Sequence, residues 1–286
     1  MQYEKYSQKN LLGALCLAVM LIVTIALTTQ AGLANAQNKT ISTKPNEIRG
    51  QITNATKINI VLVHGAGADA SSWSKVIPVL LNAGHKVIAV QLSLYSLADD
   101  VATVKRAIDL LGGPTILVGH SYGGMVISNA ACNNPNVKGL VYVAALAPKE
   151  GQSISSFTDP TKFPKGSLII DRGGFAYFNP NMFHTSFPDI DPAQVKILVV
   201  TQKPINMSIF TEKSGPPAWK QLPTWYQVSE NDRNIAPAVE RLFAKQMNAT
   251  TISLPSSHVS LLSHPKEVAQ LILNATKGVA NSITKK

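Results

Sequence analysis

The sequence contains very little cysteine and no group of residues typical of a bound metal. Of its 286 residues only Cys16 and Cys132 are cysteines, and Cys16 falls within an apolar stretch near the N-terminus. The rest of the chain therefore cannot form an internal disulfide, and its stability must come from a hydrophobic core. No Cys/His cluster has zinc-ligand spacing, and the sequence implies no metal or organic cofactor. We expect Cys132 to be a small buried apolar group.

Charged residues are also sparse, and those present are not grouped. Asp, Glu, Lys and Arg make up 15% of the chain, and the formal net charge is +10. The basic residues are scattered, without a Lys/Arg block or interleaved aromatic side chains, which argues against nucleic-acid binding. The positive charge is explained most simply as a solubilising surface.

Only one stretch of the chain, near the N-terminus, is apolar enough to enter a membrane. Two lysines precede an uncharged apolar run at 11–27, and small residues occupy positions 34 and 36. This layout predicts a secretory signal peptide over residues 1–36, cleaved after Ala36. The alternative is an uncleaved membrane anchor, because the run is near the minimum length of a membrane span. Both alternatives predict a secreted or otherwise extracytoplasmic protein.

The remainder of the chain alternates apolar runs with amphipathic segments. A polar lead-in at 37–56 precedes a single domain at 57–286. The alternation indicates an α/β fold, with a mostly parallel sheet flanked by helices. The predicted strands are almost entirely apolar, as expected for strands that are buried on both faces. Strands are predicted at 58–63, 86–92, 115–118, 138–144, 224–229 and 250–254, and helices at 72–83, 97–111, 125–132, 236–247 and 265–279.

The alternation is interrupted between residues 149 and 221, where prolines, glycines and aromatic residues accumulate. We predict that this segment is a cap inserted over the sheet edge that carries the active site, since a closed α/β unit needs no such length there. The alternative is that the segment forms more of the core. The aromatic residues would either line a substrate pocket or pack with one another. The predicted pocket residues are His64, Gly65, Trp73, Tyr177, Phe178 and Phe183.

A sharp turn that carries a nucleophile is predicted where the third strand ends. Residues 119–123 have the pattern G-x-S-x-G directly after an apolar run, and a helical segment follows. In such a turn the glycines let the chain pass without clashes, and the hydroxyl of Ser121 is raised above the sheet. The pattern alone is a weak signal, but its position between a strand and a helix predicts acyl transfer on Ser121.

Two further side chains, an acid and a histidine, are required to activate Ser121. In this architecture the order along the chain is serine, acid, histidine. His258 follows the last predicted strand, whereas the other five histidines fall in turns, in the cap, ahead of a strand or ahead of the final helix. Asp232 follows the penultimate strand, with Glu230 as its nearest rival. Asp232 could instead pair with Arg233 or cap the following helix.

Two backbone N–H groups are predicted to stabilise the negatively charged oxygen of a tetrahedral intermediate. One is that of Tyr122, which directly follows the nucleophile at the start of a helix. The second is expected in the loop after the first strand, where residues 64–67 read His-Gly-Ala-Gly. We assign it to Ala66.

Four segments resemble the α/β-hydrolase superfamily, and within it the small-ester hydrolases related to plant methyl-ester esterases and hydroxynitrile lyases. The resemblance extends over nearly all of the chain after the N-terminal segment. It implies a triad of Ser121, Asp232 and His258, with Ala66 and Tyr122 as the backbone donors. The matching residues are 61–66 with Trp73, 118–125, Asp232 with 235–237, and 257–265.

Two positions separate the esterases of this group from the lyases. The lyases typically carry threonine after the first-strand histidine and lysine after the catalytic histidine, where this chain has Gly65 and Val259. Without that lysine a departing cyanide lacks a stabilising positive charge, so the resemblance favours hydrolysis of small carboxylic esters. The alternatives are a lyase-like or perhydrolase activity at the same site, or a homologue that binds a ligand without catalysis.

Overall fold

A computed structural model describes residues 57–157 and 165–285 of the chain. The predicted signal peptide at 1–36 and the polar lead-in at 37–56 lie outside these residues. Over the described ranges, no helix combines the length and the apolar character that crossing a bilayer requires.

A six-stranded sheet, in which every neighbouring pair is parallel, forms the centre of the domain. The strand order is β2-β1-β3-β4-β8-β9. This arrangement confirms the predicted α/β class and its parallel sheet. The strands, numbered along the chain, are β1 (Asn59–Val63), β2 (Val87–Ala89), β3 (Thr115–His120), β4 (Val137–Val143), β8 (Thr224–Ser229) and β9 (Thr250–Leu254).

Helices cover both faces of this sheet, as the apolar character of its strands requires. One face packs against α2, α3 and α6, and the other against α1 and α8. The helices of the domain are α1 (Ile77–Asn82), α2 (Leu97–Leu111), α3 (Tyr122–Ala130), α4 (Phe183–Ser186), α5 (Pro192–Thr201), α6 (Pro237–Gln246), α7 (Ser260–Ser263) and α8 (Pro265–Thr284).

Alternate residues of β1 enter two separate hydrophobic cores. Val61 and Val63 belong to the core on the side of α2 and α3, whereas Ile60 and Leu62 belong to the core beneath α8. All four side chains are fully buried. Successive side chains of a strand point to opposite faces of the sheet, so a continuous apolar run fills both cores.

Several observed elements differ from their predicted bounds. The predicted helix 72–83 is a short 3₁₀ turn at Ala70–Trp73 followed by α1, which has Pro78 in its first turn, where a missing N–H costs little. The second strand stops at Ala89, and beyond it the Leu92 N–H bonds to the ring of His64 rather than to a neighbouring strand. Helix α3 begins three residues before the predicted start. Cys132 follows the end of α3 and is only half-buried, contrary to expectation.

The predicted cap, residues 149–221, contains a small antiparallel sheet together with α4 and α5. Its strands, in spatial order, are β5 (Leu168–Ile170), β6 (Phe175–Phe178) and β7 (Ile205–Asn206). The Phe183 ring packs edge-on against Phe178 at 6.5 Å and against Phe187 at 5.5 Å between ring centroids. The cap therefore has packing of its own besides its contacts with the larger sheet.

Alanine at Gly123 should destabilise the fold strongly. A Cβ at this position would lie 2.6 Å from the carbonyl oxygen of Val63 and 2.8 Å from that of His64. Both are backbone atoms that cannot move aside, so we expect a loss of ~3 kcal/mol in the free energy of unfolding. Urea denaturation of the purified protein measures this loss.

Gly173→Ala is the matched control, since a Cβ there would meet only side-chain atoms: an oxygen of Asp171 at 3.3 Å and the ring of Phe175 at 3.5 Å. We expect its effect to stay within ~0.5 kcal/mol, as at other surface positions. Equal unfolding midpoints for the two variants would show that α3 does not pack against β1 as closely as described.

Candidate active site

Ser121 lies between β3 and α3 in a backbone conformation that is rare for residues other than glycine. Its φ is 54° and its ψ is −123°. Strain of this kind costs of the order of 1–3 kcal/mol and persists only where the surroundings enforce it. Here the Ser121 carbonyl accepts hydrogen bonds from the N–H groups of Gly124 and Leu146, both at 3.0 Å. The Ser121 side chain is thereby held at the carboxyl edge of the sheet.

The glycines around Ser121 permit this turn because no side chain fits at their positions. A Cβ on Gly119 would lie 2.5 Å from the carbonyl oxygen of Gly123, and one on Gly65 would lie 2.8 Å from the Cβ of Ser121. The first strand–loop junction therefore packs directly against the serine. The G-x-S-x-G pattern and the glycine after His64 satisfy the same steric requirement.

Ser121, His258 and Asp232 lie in one hydrogen-bonded line. The Nε2 atom of His258 is 2.9 Å from the Ser121 Oγ, and its Nδ1 is 2.5 Å from the Asp232 Oδ2. Both the histidine and the aspartate are almost fully buried. With Asp232 accepting from Nδ1–H, Nε2 is left free to accept the serine proton. The structure thus brings together the three residues that the sequence predicted.

The carboxylate of Asp232 is held in place by its own loop as well as by His258. Its Oδ1 accepts hydrogen bonds from the N–H groups of Asn234 at 2.6 Å and Ile235 at 2.9 Å. Burial alone would raise the pKa of Asp232, but the adjacent His258, together with hydrogen bonds from Glu240 and the Ile235 N–H, holds that pKa below its ordinary value. The group is therefore ionised at neutral pH and can orient the imidazole.

Neither Glu230, the alternative acid, nor Arg233, the alternative partner of Asp232, takes part in the hydrogen-bonded line. Glu230 forms an ion pair with Arg241 at 2.5 Å near the surface. Arg233 does not pair with Asp232, but donates from Nη1 to the carbonyl of Thr185 in the cap at 2.9 Å. Asp232 caps only its own turn, through the two N–H groups already described.

His120 hydrogen-bonds to the backbone of His258, a contact that the sequence analysis did not predict. Its Nε2–H donates to the carbonyl oxygen of His258 at 2.9 Å, and the two rings lie 4.8 Å apart between centroids. Burial lowers the pKa of His120 to about 3, so its ring is neutral at physiological pH. A neutral ring adds no positive charge beside the imidazole of His258.

The loops that carry Asp232 and His258 are joined by hydrogen bonds. The Glu230 N–H donates to the Leu254 carbonyl at 2.9 Å, and the Asn231 N–H to the Ser256 carbonyl at 3.0 Å. The Ser256 hydroxyl also bonds to the Ser229 hydroxyl at 2.9 Å, away from water. Because satisfied buried networks are rigid, these contacts fix the spacing between acid and base.

His64 holds the loop that contains Ala66 in place and does not line the cavity beside Ser121. Its ring is fully buried; Nδ1 lies 2.9 Å from the Gly65 carbonyl, and Nε2 accepts from the Leu92 N–H at 3.0 Å. Burial lowers the pKa of His64 to about 4, so it remains neutral. The loop is further tied to the cap by the Lys203 N–H, which donates to the Gly67 carbonyl at 3.0 Å.

Tyr122 is anchored through its hydroxyl to the start of α2. The hydroxyl donates to the Asp100 Oδ2 at 2.9 Å, and Asp100 also accepts from the Leu94 N–H at 3.0 Å. Asp100 is fully buried, and burial raises its pKa. These contacts fix the first residue of α3, whose N–H is one of the two predicted oxyanion donors.

A cavity of about 670 Å³ opens onto Ser121 and His258. Ala66 and Tyr122 belong to its wall, together with Phe178 and Phe183. The rest of the wall is largely apolar and comes from both the cap and the larger sheet; it includes Leu146, Ile154, Leu168, Met182, Phe187, Leu198, Met207, Phe210, Ile235, Val259 and Leu262.

Four of the predicted pocket residues do not line this cavity. His64 is turned towards Leu92, and Gly65 lies behind Ser121. Trp73 is fully buried in the core beneath α8, where a large ring is held by its packing. Tyr177 is half-buried on β6, where successive side chains point to opposite faces, so that Phe178 faces the cavity and Tyr177 does not.

The described residues contain no group of three or more His, Cys, Asp and Glu side chains arranged to hold a metal ion. The chemistry that the site can perform with its own groups is nucleophilic attack by a serine assisted by an imidazole. A parallel α/β sheet with a serine on a strand-to-helix turn, followed in the chain by an acid and a histidine, is the arrangement of the α/β-hydrolase fold.

Comparison with known proteins agrees with this class. The sequence pattern of the Alpha/beta hydrolase family matches residues 60–271, and the chain belongs to that family. A pyrethroid hydrolase from Sphingobium wenxiniae is 28% identical over 245 residues, covering 76% of this chain and 87% of that protein. A polyneuridine aldehyde esterase from Rauvolfia serpentina is 22% identical over 249 residues, covering 76% and 94% respectively.

The solved structure of a methylesterase from Arabidopsis has the same fold. It superposes with a TM-score of 0.64 at 22% identity, covering 77% of this chain and 99% of that one. The predicted resemblance to the plant esterase group is therefore confirmed. So is the broader prediction that the chain is a carboxylic ester hydrolase, since the relatives are named as hydrolases and esterases.

Replacing Asp189 with asparagine tests the attachment of the cap to the loop of His258. The Asp189 Oδ2 accepts from the Ser257 N–H at 2.8 Å. Burial alone would raise the pKa of Asp189, but hydrogen bonds from Ser257 and Ser263 hold it below the ordinary value of 3.8. The ionised group therefore stabilises the fold above that value, and the contribution is lost as pH falls through the lowered native pKa.

We accordingly expect the stability advantage of the wild type over Asp189→Asn to shrink as the solution is acidified below the ordinary aspartate pKa. Urea denaturation at a series of acidic pH values measures the difference in free energy of unfolding. A difference that does not change with pH would mean that ionised Asp189 does not hold the cap to this loop.

Proposed function

We propose that this chain is a serine esterase that cleaves apolar carboxylic esters through an acyl-enzyme formed on Ser121. The observation that carries the proposal is the hydrogen-bonded line from Ser121 through His258 to Asp232. Ser121 and His258 in this line form part of the wall of a largely apolar cavity. The esterases and hydrolases among the relatives support the reaction type.

The proposed reaction has two steps that use one imidazole twice. The Ser121 Oγ attacks the ester carbonyl carbon while His258 Nε2 takes its proton, and the resulting imidazolium is stabilised by Asp232. His258 then gives that proton to the departing alcohol, which leaves the acyl group on the serine. A water molecule, deprotonated by the same nitrogen, attacks the acyl carbon and releases the acid.

The N–H groups of Ala66 and Tyr122 are the proposed donors to the tetrahedral oxyanion. Both residues line the cavity beside Ser121, and both are held by buried contacts of their loops. Tyr122 is also the first residue of α3, where the helix dipole favours negative charge. Each such donor contributes on the order of 3 kcal/mol to stabilisation of the transition state in comparable sites.

The cavity wall favours hydrolysis over release of cyanide. Val259, the residue after His258, lines the cavity with an apolar side chain. The volume of about 670 Å³ leaves room for a substrate much larger than an acetate ester. We therefore assign the substrate class as esters whose acid or alcohol part is bulky and apolar.

Ser121→Ala should abolish ester hydrolysis. We expect kcat for p-nitrophenyl butyrate to fall by about 10⁴-fold or more, because the nucleophile that forms the acyl-enzyme is removed. Ser186→Ala is the matched control, since Ser186 is another serine of the same cavity wall, and it should retain nearly full activity. Comparable rates for wild type and Ser121→Ala would exclude the acyl-enzyme route.

Lengthening the acyl chain of the substrate should increase kcat/KM until the cavity is filled. Each added methylene that leaves water contributes about 0.8 kcal/mol, or roughly fourfold. We expect the increase from p-nitrophenyl acetate through the butyrate to the hexanoate, measured by release of p-nitrophenol. A preference for acetate over every longer ester would contradict the assignment of an apolar acyl site.

A further inference from the structure

A second carboxyl group lies behind Asp232 in the interior. Glu240, in the first turn of α6, is fully buried. Its Oε2 accepts a hydrogen bond from the Ser229 N–H at 3.0 Å. Its Oε1 receives no hydrogen bond from any donor within the described part of the chain. Glu240 is also hydrogen-bonded, side chain to side chain, with Asp232.

Two carboxyl groups can share a hydrogen bond only when one of them carries a proton. Asp232 accepts from His258 and from the N–H groups of Asn234 and Ile235, which together favour its ionised form. Glu240 has a single N–H donor and no cation beside it among its described contacts. The proton of the pair therefore resides on Glu240.

The charged and titratable groups around Glu240 favour the same distribution. Burial, followed by the charge of Asp232, raises the pKa of Glu240 to about 10, and Glu230 adds a smaller effect in the same direction. Arg241, the next residue, is turned outward to Glu230. The Tyr226 hydroxyl donates its proton to the Ala145 carbonyl, so that proton is not available to stabilise an ionised Glu240.

We propose that Glu240 is a positioning residue that keeps its proton at neutral pH and donates it as a hydrogen bond to the carboxylate of Asp232. This role rests on the proposed esterase function of Ser121. The bond adds a further donor to the carboxylate of Asp232, besides His258 and the N–H groups of Asn234 and Ile235, and so restrains its orientation. It also draws charge from Asp232, which limits how strongly the aspartate attracts a proton to the imidazole.

Glu240→Gln and Glu240→Leu separate a protonated glutamate from an ionised one. The glutamine amide reproduces both bonds of the neutral acid, since its oxygen accepts from Ser229 and its NH₂ donates to Asp232. We expect kcat/KM to stay within about twofold of the wild type and the pH profile to be unchanged. Glu230→Gln, in the exposed ion pair with Arg241, is the matched control for loss of a nearby glutamate.

Leucine removes the donor, so kcat/KM for Glu240→Leu should fall by about tenfold or more, with little change in KM. The acidic limb of its pH profile should move to higher pH, because an unrestrained Asp232 holds a proton on the imidazole more strongly. A purely structural residue would not move this limb.

Infrared spectroscopy gives a readout that does not depend on activity or on Glu240→Leu folding. At pH 7 the wild type should show the carbonyl stretch of a protonated carboxylic acid, and Glu240→Gln should lack it. The inference is overturned if this band is absent, if Glu240→Gln shifts the acidic limb to lower pH, or if Glu240→Leu has wild-type kinetics. If the band is present but Ser121→Ala is fully active, the proposed function fails while the protonated glutamate stands.

Discussion

The strained backbone of Ser121 is the constraint on which the rest of the site depends. Ser121 adopts a φ of 54° because the end of β3, the start of α3 and the loop after β1 pack closely around it. This close packing is possible because residues 65, 119 and 123 are glycines, at which a Cβ would clash. In return the turn holds the serine hydroxyl at the edge of the sheet where the loops after β8 and β9 end.

Few of the titratable groups around Ser121 and His258 are ionised at neutral pH. Two buried histidines, His64 and His120, are neutral and serve as braces for the loops that carry Ala66 and His258. Asp232 is the ionised group beside the imidazole, and Glu240 behind it is the protonated one in our proposal. Such a distribution leaves His258 as the group that gains and loses a proton during the proposed reaction, while the groups around it keep their charge states.

The sequence was sufficient for the fold class and for the candidate triad, because both rest on local patterns. Apolar strands alternate with amphipathic helices. Each residue of the candidate triad follows the carboxyl end of a strand in the same parallel sheet, Ser121 after β3, Asp232 after β8 and His258 after β9. The pocket was harder to predict: Tyr177 and Phe178 are neighbours of the same chemical kind, and only the register of β6 decides which one faces the cavity. The roles of His120, Asp189 and Glu240 depend on contacts between residues distant in the chain, which no local pattern encodes.

The central claim is that His258 and Asp232 make Ser121 nucleophilic. Covalent labelling tests this claim most directly. The full-length protein is treated with a fluorophosphonate, digested and examined by mass spectrometry, with His258→Ala in parallel. The account predicts one phosphonylated peptide, modified at Ser121, in the wild type and almost none in the variant, because a serine without its base is unreactive. Modification of a different residue, or equal labelling of Ser121 without His258, would contradict it.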